Sequence, residues 1–432
     1  MRIVKYVAII LGACIAFVFI LIGVLSVTRT TPVRAVIAEG DRGGPPPVSD
    51  PLFPRTIELF TETHIEPGNN VEVLLNGDGT YPRIWQDIAT AKRTLTVQMY
   101  YSQPGAVADT MAKYLADRAR AHVRVLLLLD AFGSQPLKKE WIEGLKKAGV
   151  EFAWLRPLRW YTLHKATQRS HVRVIVVDGR VGYTGGFGLA DYWLGDGHHE
   201  DQWRETNVRF AGPSVAALQA AFAAGWAEAT GELLTGDMFF PSSAFADGGD
   251  VNAGLMHSLP TIGSTPAERF LALSIAGSRK TLYITNSYFV PTDDFSNLLI
   301  KAVKRGVDVR VLTVSSKTDV KTTWYAGRAS YEKLLKEGVR IYEYLPTMMH
   351  AKTMVVDGLF SSVGSMNFDN RSLAFNNESQ VLALDPGVGA TMDSIFMNDL
   401  QYAQEIKLET FRKRPWTGKV LEWGAVKLRR LL

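Results

Sequence analysis

His350-Ala351-Lys352-Thr353-Met354-Val355-Val356-Asp357, followed closely by Gly364-Ser365-Met366-Asn367, is the stretch on which the reading of this 432-residue chain turns. The apolar, β-branched run Met354 to Val356 predicts a buried strand, and a period of two puts His350 and Lys352 on one face of its leading edge. An imidazole and an ammonium then share a target. Asp357 has the opposite parity and sits where the strand gives way to Gly358, so it is placed to brace the strand end.

A second copy lies upstream. His171-Val172-Arg173-Val174-Ile175-Val176-Val177-Asp178-Gly179 repeats the spacing, and Gly185-Gly186-Phe187-Gly188 stands where Gly364-Ser365-Met366-Asn367 stands later. The duplication runs beyond the motifs in the same order: Arg93-Thr94-Leu95 answers Lys280-Thr281-Leu282, and Val123-Arg124-Val125-Leu126 answers Val309-Arg310-Val311-Leu312. Glu205-Thr206-Asn207-Val208 likewise answers Glu378-Ser379-Gln380-Val381. Two homologous halves explain the pattern most economically.

The paired H-x-K-x4-D pattern, each copy followed by its glycine turn, resembles the phospholipase D superfamily. The longer text from Met349 through Asp357, and from Ser362 through Asn367-Phe368-Asp369-Asn370-Arg371-Ser372, is similar to bacterial cardiolipin synthases. The similarity runs from about Asn70 to the C-terminus. It implies an α/β fold of two phospholipase D-type α/β/α halves related by a pseudo-twofold.

Before the repeats, Arg2 and Lys5 precede an apolar or small-residue segment from Tyr6 to Val27. At 1.5 Å per residue it spans about 33 Å, enough to cross a bilayer as one transmembrane helix. A cleaved signal peptide fits less well, because its apolar region normally runs about 7 to 15 residues. Residues 28–54, with Gly43-Gly44-Pro45-Pro46-Pro47, read as a spacer. The two halves are then 55–238 and 239–432. Charge on either side of the anchor leans towards an inside N-terminus and a catalytic region on the outer face of a bacterial cell membrane. Cys14 is the only cysteine, which excludes an intramolecular disulfide and suits packing within the membrane helix.

Strands are expected over Val71–Leu75, closed by a turn at Asn76-Gly77-Asp78-Gly79, then over Thr94–Tyr100 and Val123–Leu129, with helices over Ile84–Ala91 and Ala106–Ala121. The second half repeats this with Thr281–Ser287, Phe295–Arg305, Val309–Thr313, Tyr325–Glu337 and Arg340–Tyr344. Such alternation predicts a largely parallel sheet. An Ala-rich helix over Gly212–Thr230 and a Gly/Ser/Pro/Asp loop over Thr235–Val251 separate the halves.

The resemblance implies phosphodiester chemistry that uses neither metal nor cofactor. One histidine attacks phosphorus to give a phosphohistidine; the other protonates the leaving alkoxide and then deprotonates the incoming hydroxyl. It makes His171 the nucleophile and His350 the acid/base, with exchanged roles the alternative. Arg173, Lys352 and Asn367, beside Ser365 in the same turn, are the candidates for holding the phosphate. Asp178 and Asp357 belong to the motif and are expected to support structure. A histidine that attacks needs its tautomer fixed from behind. Glu205 and Glu378, equivalent in the repeat and about thirty residues past their motifs, are the candidates.

The first motif departs from the pattern twice: Arg173 replaces lysine, and Gly188 replaces asparagine and removes a donor. Either the site compensates or that half is weakened. His198-His199-Glu200-Asp201 is expected to be a polar loop near the site mouth, not a metal centre. The basic and aromatic stretch of Trp154, Arg156, Arg159, Trp160, Tyr161, His164 and Lys165 suits either a lipid interface or packing under a loop. Arg412-Lys413-Arg414 and the C-terminal Val426 to Leu432 suit anionic lipid or simple solvation. The net charge of +5 favours anionic partners without choosing among them. No Gly-rich nucleotide loop, zinc spacing or nucleic-acid module is present in the sequence. The reading is a membrane-anchored phosphatidyltransferase of the cardiolipin synthase type. Its substrate is phosphatidylglycerol or another anionic phospholipid, and no nucleic acid is expected as a partner. The alternatives are a phospholipase D that hydrolyses or uses another alcohol, a membrane-anchored nucleic-acid phosphodiesterase, and a non-catalytic lipid-binding scaffold.

Overall fold

The structure, a computed structural model, describes residues 2–28, 32–38, 45–157, 168–242, 248–261 and 263–432. Arg159, Trp160, Tyr161, His164 and Lys165 of the basic aromatic stretch lie outside the described residues.

Each motif folds as a hairpin for a reason visible in its last residues. Asp178-Gly179 and Asp357-Gly358 all have positive φ (53°, 67°, 55° and 63°). Aspartate and glycine tolerate this left-handed region, and with the Arg180 amide on the Val177 carbonyl and the Leu359 amide on the Val356 carbonyl each chain reverses within three residues. The hairpins pair Val174–Val177 (β5) with Val181–Gly185 (β6), and Lys352–Val356 (β12) with Phe360–Gly364 (β13). Each turn carboxylate then accepts backbone amides where the neighbouring strand begins. Asp178 takes those of Lys92, Arg93 and Thr94 at 2.8–3.2 Å, and Asp357 those of Arg279, Lys280 and Thr281 at 2.7–3.2 Å. These aspartates therefore lock the hairpin to its neighbour at the end of the strand away from the histidine.

Around the hairpins each half builds the same set of strands. The first half has Glu66–Leu75 (β1), Thr94–Met99 (β2), Arg124–Asp130 (β3), Glu151–Leu155 (β4), β5, β6 and Thr206–Ala211 (β7). The second has Val251–Ser258 (β8), Thr281–Asn286 (β9), Asp308–Val314 (β10), Arg340–Tyr344 (β11), β12, β13, Glu378–Leu384 (β14) and an added edge strand, Ala403–Ile406 (β15). Among the described residues they form one fifteen-stranded sheet in the order β15-β11-β10-β9-β12-β13-β14-β8-β1-β7-β6-β5-β2-β3-β4. The halves meet where β1 and β8 pair antiparallel.

Two local expectations are corrected. The sheet is mixed, not largely parallel: only β2-β3-β4 and β9-β10-β11 run parallel. The motif hairpins and the returning β7 and β14 join their neighbours without a crossover helix, so they pair antiparallel. Asn76-Gly77-Asp78-Gly79 is not a turn but the opening of helix Asn76–Thr90. Asn76 takes φ 55° there, and its amide bridges Asp196 and Glu205, a tertiary contact that local turn chemistry does not contain.

Apolar packing ties the halves together. Helices Asn76–Thr90, Ala106–Arg120 and Lys139–Lys147 cover one face of the first half, and Pro266–Gly277, Asp293–Lys304 and Lys321–Lys336 cover the matching face of the second. A third core is shared: Val174, Val176, Val208 and Phe210 of the first half lie in one cluster with Leu255, Val355, Val363 and Val381 of the second. Leu52–Thr61, which the sequence division splits between spacer and first half, packs instead on Pro266–Gly277 through Phe53 and Ile57. Val48 of the spacer is buried there too, its amide donating to the Gly277 carbonyl at 3.1 Å. The N-terminal helix is Arg2–Thr28; within it Val4–Leu21 is long and apolar enough to cross a bilayer and makes no buried contact with the rest of the chain.

Replacing Asp357 with Ala strands three backbone amides at the start of β9, and is expected to destabilise the fold by about 2 kcal/mol. Thermal unfolding in detergent, compared with Asp178→Ala in the first half, measures it; a change within error for both would show that the braces carry no stability.

Candidate active site

Each motif histidine lies in the extended approach to its hairpin, and each approach is clasped by the other half. The His171 amide donates to the Asn377 carbonyl at 2.9 Å, and the His350 amide to the Arg204 carbonyl at 2.7 Å. Asn377 and Arg204 immediately precede Glu378 and Glu205. The clasp therefore sets each glutamate against the histidine of the opposite half. His171 Nδ1 meets both carboxylate oxygens of Glu378 at 3.0 and 3.2 Å, and His350 Nδ1 meets Glu205 Oε2 at 2.5 Å. Opposite these pairs both rings border one cleft of about 290 Å³, with Arg173, Asn367, Tyr100, Tyr288 and Trp193 among its walls.

The pairing fixes the chemistry of the rings. Burial, reinforced by the Arg173 charge, lowers the His171 pKa to about 4; burial and then Lys352 hold His350 well below its ordinary value. Both rings are therefore neutral near pH 7. With Nδ1–H donated to a carboxylate, the free lone pair is on Nε2. Burial also raises the Glu205 carboxyl above its ordinary value. Lys352, wholly buried, is pushed down to about 7 by the same desolvation.

The two cations are held alike but not identically. Arg173 Nη1 donates to the His171 carbonyl at 2.5 Å and Lys352 Nζ donates to the His350 carbonyl. Lys352 Nζ also donates to Ser287 Oγ at 3.0 Å and lies 2.9 Å from His350 Nδ1. In the second half the Asn286 amide donates to the Met366 carbonyl at 3.2 Å and accepts from the Phe368 amide at 2.8 Å, shaping the turn that carries Asn367. Sheet register places Met99 at the equivalent of Asn286. There Arg173 Nε donates to the Phe187 carbonyl at 3.2 Å instead, so the guanidinium fork covers both the lysine's bond and the missing amide's.

Trp193 accounts for the other departure. A Cβ on Gly188 would come within 2.6 Å of the Trp193 ring and 2.8 Å of the Tyr101 carbonyl, so no asparagine fits there. A Cβ on Gly186 would meet the Glu205 carboxylate at 2.4 Å, whereas its counterpart Ser365 donates Oγ–H to Glu378 Oε2 at 2.6 Å. Trp193 Nε1 donates to Glu205 Oε2 at 3.2 Å, giving Glu205 the support that the serine gives Glu378. Its ring also lies edge-on to His350, 5.4 Å between centroids.

Sequence reasoning did not single out Trp193, Trp203 against His350 at 4.9 Å, Tyr100 edge-on to His171 at 4.9 Å, or Asp369 and Arg371 in the cleft wall. Asp369 and Arg371 stand in the text that carried the resemblance. The aromatic residues lie outside it, and only the fold brings them in. Arg204, also unpredicted, forms a buried ion pair with Asp399 across the halves at 2.8–2.9 Å. Asp178 and Asp357 do not border the cleft, and neither does Lys352, whose ammonium sits on Ser287 and the His350 carbonyl. His198 contacts the Tyr344 hydroxyl at 3.0 Å and Glu200 pairs with Lys317 at 2.6 Å, so the polar loop's side chains go to separate partners.

Because His171 stays neutral down to about pH 4 when folded, while an unfolded histidine protonates near 6.5, the unfolded chain binds the extra proton between these values. Stability should fall as pH drops from 6.5 towards 4, and ¹⁵N NMR of labelled histidine should show His171 as the Nδ1–H tautomer throughout. A His171 midpoint near 6.5 would contradict the burial.

Comparison with known proteins agrees with this architecture. A family model described as "Cardiolipin synthase, PLD-like domain" matches residues 84–226 and 271–400. The chain is 30% identical over 372 residues to a cardiolipin synthase of Halalkalibacterium halodurans, covering 86% of this chain and 74% of that one. It is 32% identical over 352 residues to a cardiolipin synthase of Geobacillus kaustophilus, with 81% and 70% covered. Among solved structures, a phosphatidylserine synthase from Haemophilus influenzae matches with TM-score 0.68 at 13% identity, over 88% of this chain and all of that one, which speaks to the fold. Two matched family segments, one on each half and each holding a motif histidine, make this chain a member of the cardiolipin synthase family with phospholipase D-like domains.

Proposed function

We propose that the protein is a cardiolipin synthase-type phosphatidyltransferase, which joins two phosphatidylglycerols and releases glycerol through a phosphohistidine. The observation that carries this reading is the pair of neutral imidazoles, each backed at Nδ1 by a glutamate from the other half, that share a single cleft. The family relationship supplies the lipid.

In this reading His171 Nε2 attacks the phosphorus of the first lipid. A nitrogen–phosphorus bond forms and the bond to the headgroup glycerol oxygen breaks. His350 protonates the departing alkoxide. Its proton affinity, depressed by burial, is restored when an anionic phosphodiester lies beside it, since added negative charge favours imidazolium. The headgroup hydroxyl of the second lipid then gives its proton to His350 and attacks phosphorus, and the His171 bond breaks. Arg173 and the Asn367 amide, in the cleft wall, hold the non-bridging oxygens, whose negative charge grows in the transition state, and Lys352 adds its charge from beside His350. Glu205, Glu378, Ser365 and Trp193 position the rings. Asp178 and Asp357 serve through the hairpins that carry the motifs. Arg173 and Trp193 make the first half a compensated one, which favours catalysis over a lipid-binding scaffold.

We also propose the organisation as a single-pass anchor over 6–27, a spacer over 28–54 and two phospholipase D-like halves over 55–238 and 239–432. The catalytic region lies on the outer side of a bacterial cell membrane. An anchor of this kind keeps a reaction between two lipids where both are concentrated.

Purified protein given phosphatidylglycerol alone should yield, by mass spectrometry, a four-chain lipid and glycerol; phosphatidic acid as sole product would replace transfer with hydrolysis. Acid-quenched turnover of lipid labelled at phosphorus should leave label on His171. Asn at either histidine should lower turnover by at least about 1,000-fold. Label found on His350 instead would reverse the roles, and full activity of both variants would end the mechanism.

Trp193→Phe and Ser365→Ala each remove one hydrogen bond to a positioning glutamate, and each should lower kcat about tenfold with KM little changed. If only Ser365→Ala has an effect, Trp193 is a filler of space and not the serine's counterpart.

A further inference from the structure

Helix Trp416–Lys427 is built with its polarity reversed. Its inward side carries the acid: Glu422, 3% exposed, is held by Arg414 at 2.7 Å and by Arg328 at 3.5 Å. Its outward side carries the apolar residues, with Trp416 74%, Val420 53%, Leu421 50% and Trp423 65% exposed. Trp416, Val420 and Trp423 follow one another at i, i+4 and i+7, so they form a single stripe. A helix lying on a water-soluble surface normally shows the opposite pattern, and a contiguous exposed apolar stripe marks a surface that is covered in use.

We infer that this stripe seats in the headgroup and acyl boundary of an anionic bilayer, holding the mouth of the catalytic cleft against the lipid that feeds it. The inference rests on the proposed function only for the identity of that lipid. Charge supports a bilayer as the occupant. Residues 412–432 hold seven Lys or Arg against one acid; Arg414 pairs with that acid, Glu422, Arg412 with Glu332 and Arg429 with Asp293, so the charge presented outward is chiefly that of the lysines. Lys413, Lys419 and Lys427 are exposed, and Lys427 Nζ lies over the Trp423 ring at 5.4 Å. Tryptophan flanked by lysine is the composition of an interfacial helix, whose rings sit at headgroup depth while its cations meet lipid phosphates. A second copy of the chain is a poorer occupant, because twofold pairing of the stripe on itself would bring like charges together.

Continuity links the stripe to the site. Beyond Lys427 the chain runs directly into the cleft, where Leu431 and Leu432 form part of the wall that also holds His171 and His350. The segment is pinned there by the Asn370 amide on the Arg430 carbonyl at 2.7 Å and the Arg371 amide on the Leu432 carbonyl at 2.8 Å. Helix and cleft wall are thus a few residues apart on one tethered segment, and a bilayer under the helix lies at the cleft's edge. The N-terminal anchor brings the protein to a membrane; the helix would set which way the cleft faces.

The test uses the full chain with its one cysteine removed by Cys14→Ser and a single environment-sensitive fluorophore placed by Val420→Cys or Leu421→Cys. Glu140→Cys, at an exposed position of helix Lys139–Lys147 of the first half, is the control. The proteins are reconstituted in vesicles of phosphatidylglycerol and phosphatidylcholine. They are exposed either to nitroxide-labelled lipid or to iodide on both sides of the membrane. Labels at 420 and 421 should be quenched by the lipid nitroxide and shielded from iodide, with the reverse at 140. Quenching at 420 and 421 by iodide alone overturns the inference, and shielding from both quenchers overturns it in favour of a second copy. In mixed micelles, Trp416→Ser with Trp423→Ser should raise the apparent KM for phosphatidylglycerol about fivefold and leave kcat within about twofold; an unchanged KM also counts against it. Quenching needs no turnover, so it decides the orientation even if the chain proves inactive on phosphatidylglycerol. Turnover with iodide-exposed labels would sink the orientation and leave the transferase standing.

Discussion

Two carboxylate–imidazole contacts that cross between the halves are the constraint on which the rest of this structure depends. His171 is oriented by Glu378 and His350 by Glu205, so neither half contains a complete catalytic unit. The backbone enforces the exchange: each histidine amide is bonded to the carbonyl just before the other half's glutamate. The shared apolar core and the buried Arg204–Asp399 pair hold the halves at the distance this requires. Removing one member of such a buried set leaves an uncompensated polar group, which costs far more than a surface ion pair contributes. Stability and catalysis are therefore coupled at the junction.

Burial does the chemical work inside that frame. Wrapping both imidazoles in protein keeps them neutral near pH 7, and the glutamates behind them leave the lone pair facing the cleft. The same desolvation that lowers Lys352 towards 7 leaves it strongly responsive to an incoming negative charge. The two imidazoles that border the cleft share this sensitivity, so negative charge brought beside them would raise their proton affinity.

The repeat is not a copy. The second half keeps lysine, serine and asparagine; the first half replaces them with Arg173, Gly186 and Gly188 and recovers the lost contacts from elsewhere. The guanidinium reaches a carbonyl that Asn286 serves in the second half, and the Trp193 indole donates to Glu205 as Ser365 donates to Glu378. An indole cannot share space with a side chain at 188, so the tryptophan and the glycine are one substitution in physical terms. Such compensation lets the two halves differ in sequence while keeping equivalent support behind each histidine.

Much of this was legible in the chain itself. The duplicated motif revealed two halves because its spacing is local: a histidine and a cation two residues apart on a strand, and an Asp-Gly that can only turn. Arg340–Tyr344 was expected as a strand and is one, a short run rich in β-favouring residues beside a parallel neighbour. The parallel-sheet expectation failed because alternation of helices and strands says nothing of the hairpins that lack a helix, and Asn76 was misread because its left-handed backbone is held by Asp196 and Glu205, more than a hundred residues away. Sequence alone also singled out Glu205 and Glu378 as candidates by their matching positions. Only the tertiary structure decided that each serves the other half's histidine, that Trp193 fills the place of an asparagine, and that Glu422 points inward while Trp423 points out. Those are outcomes of which distant surfaces meet, and spacing along a chain carries no record of that.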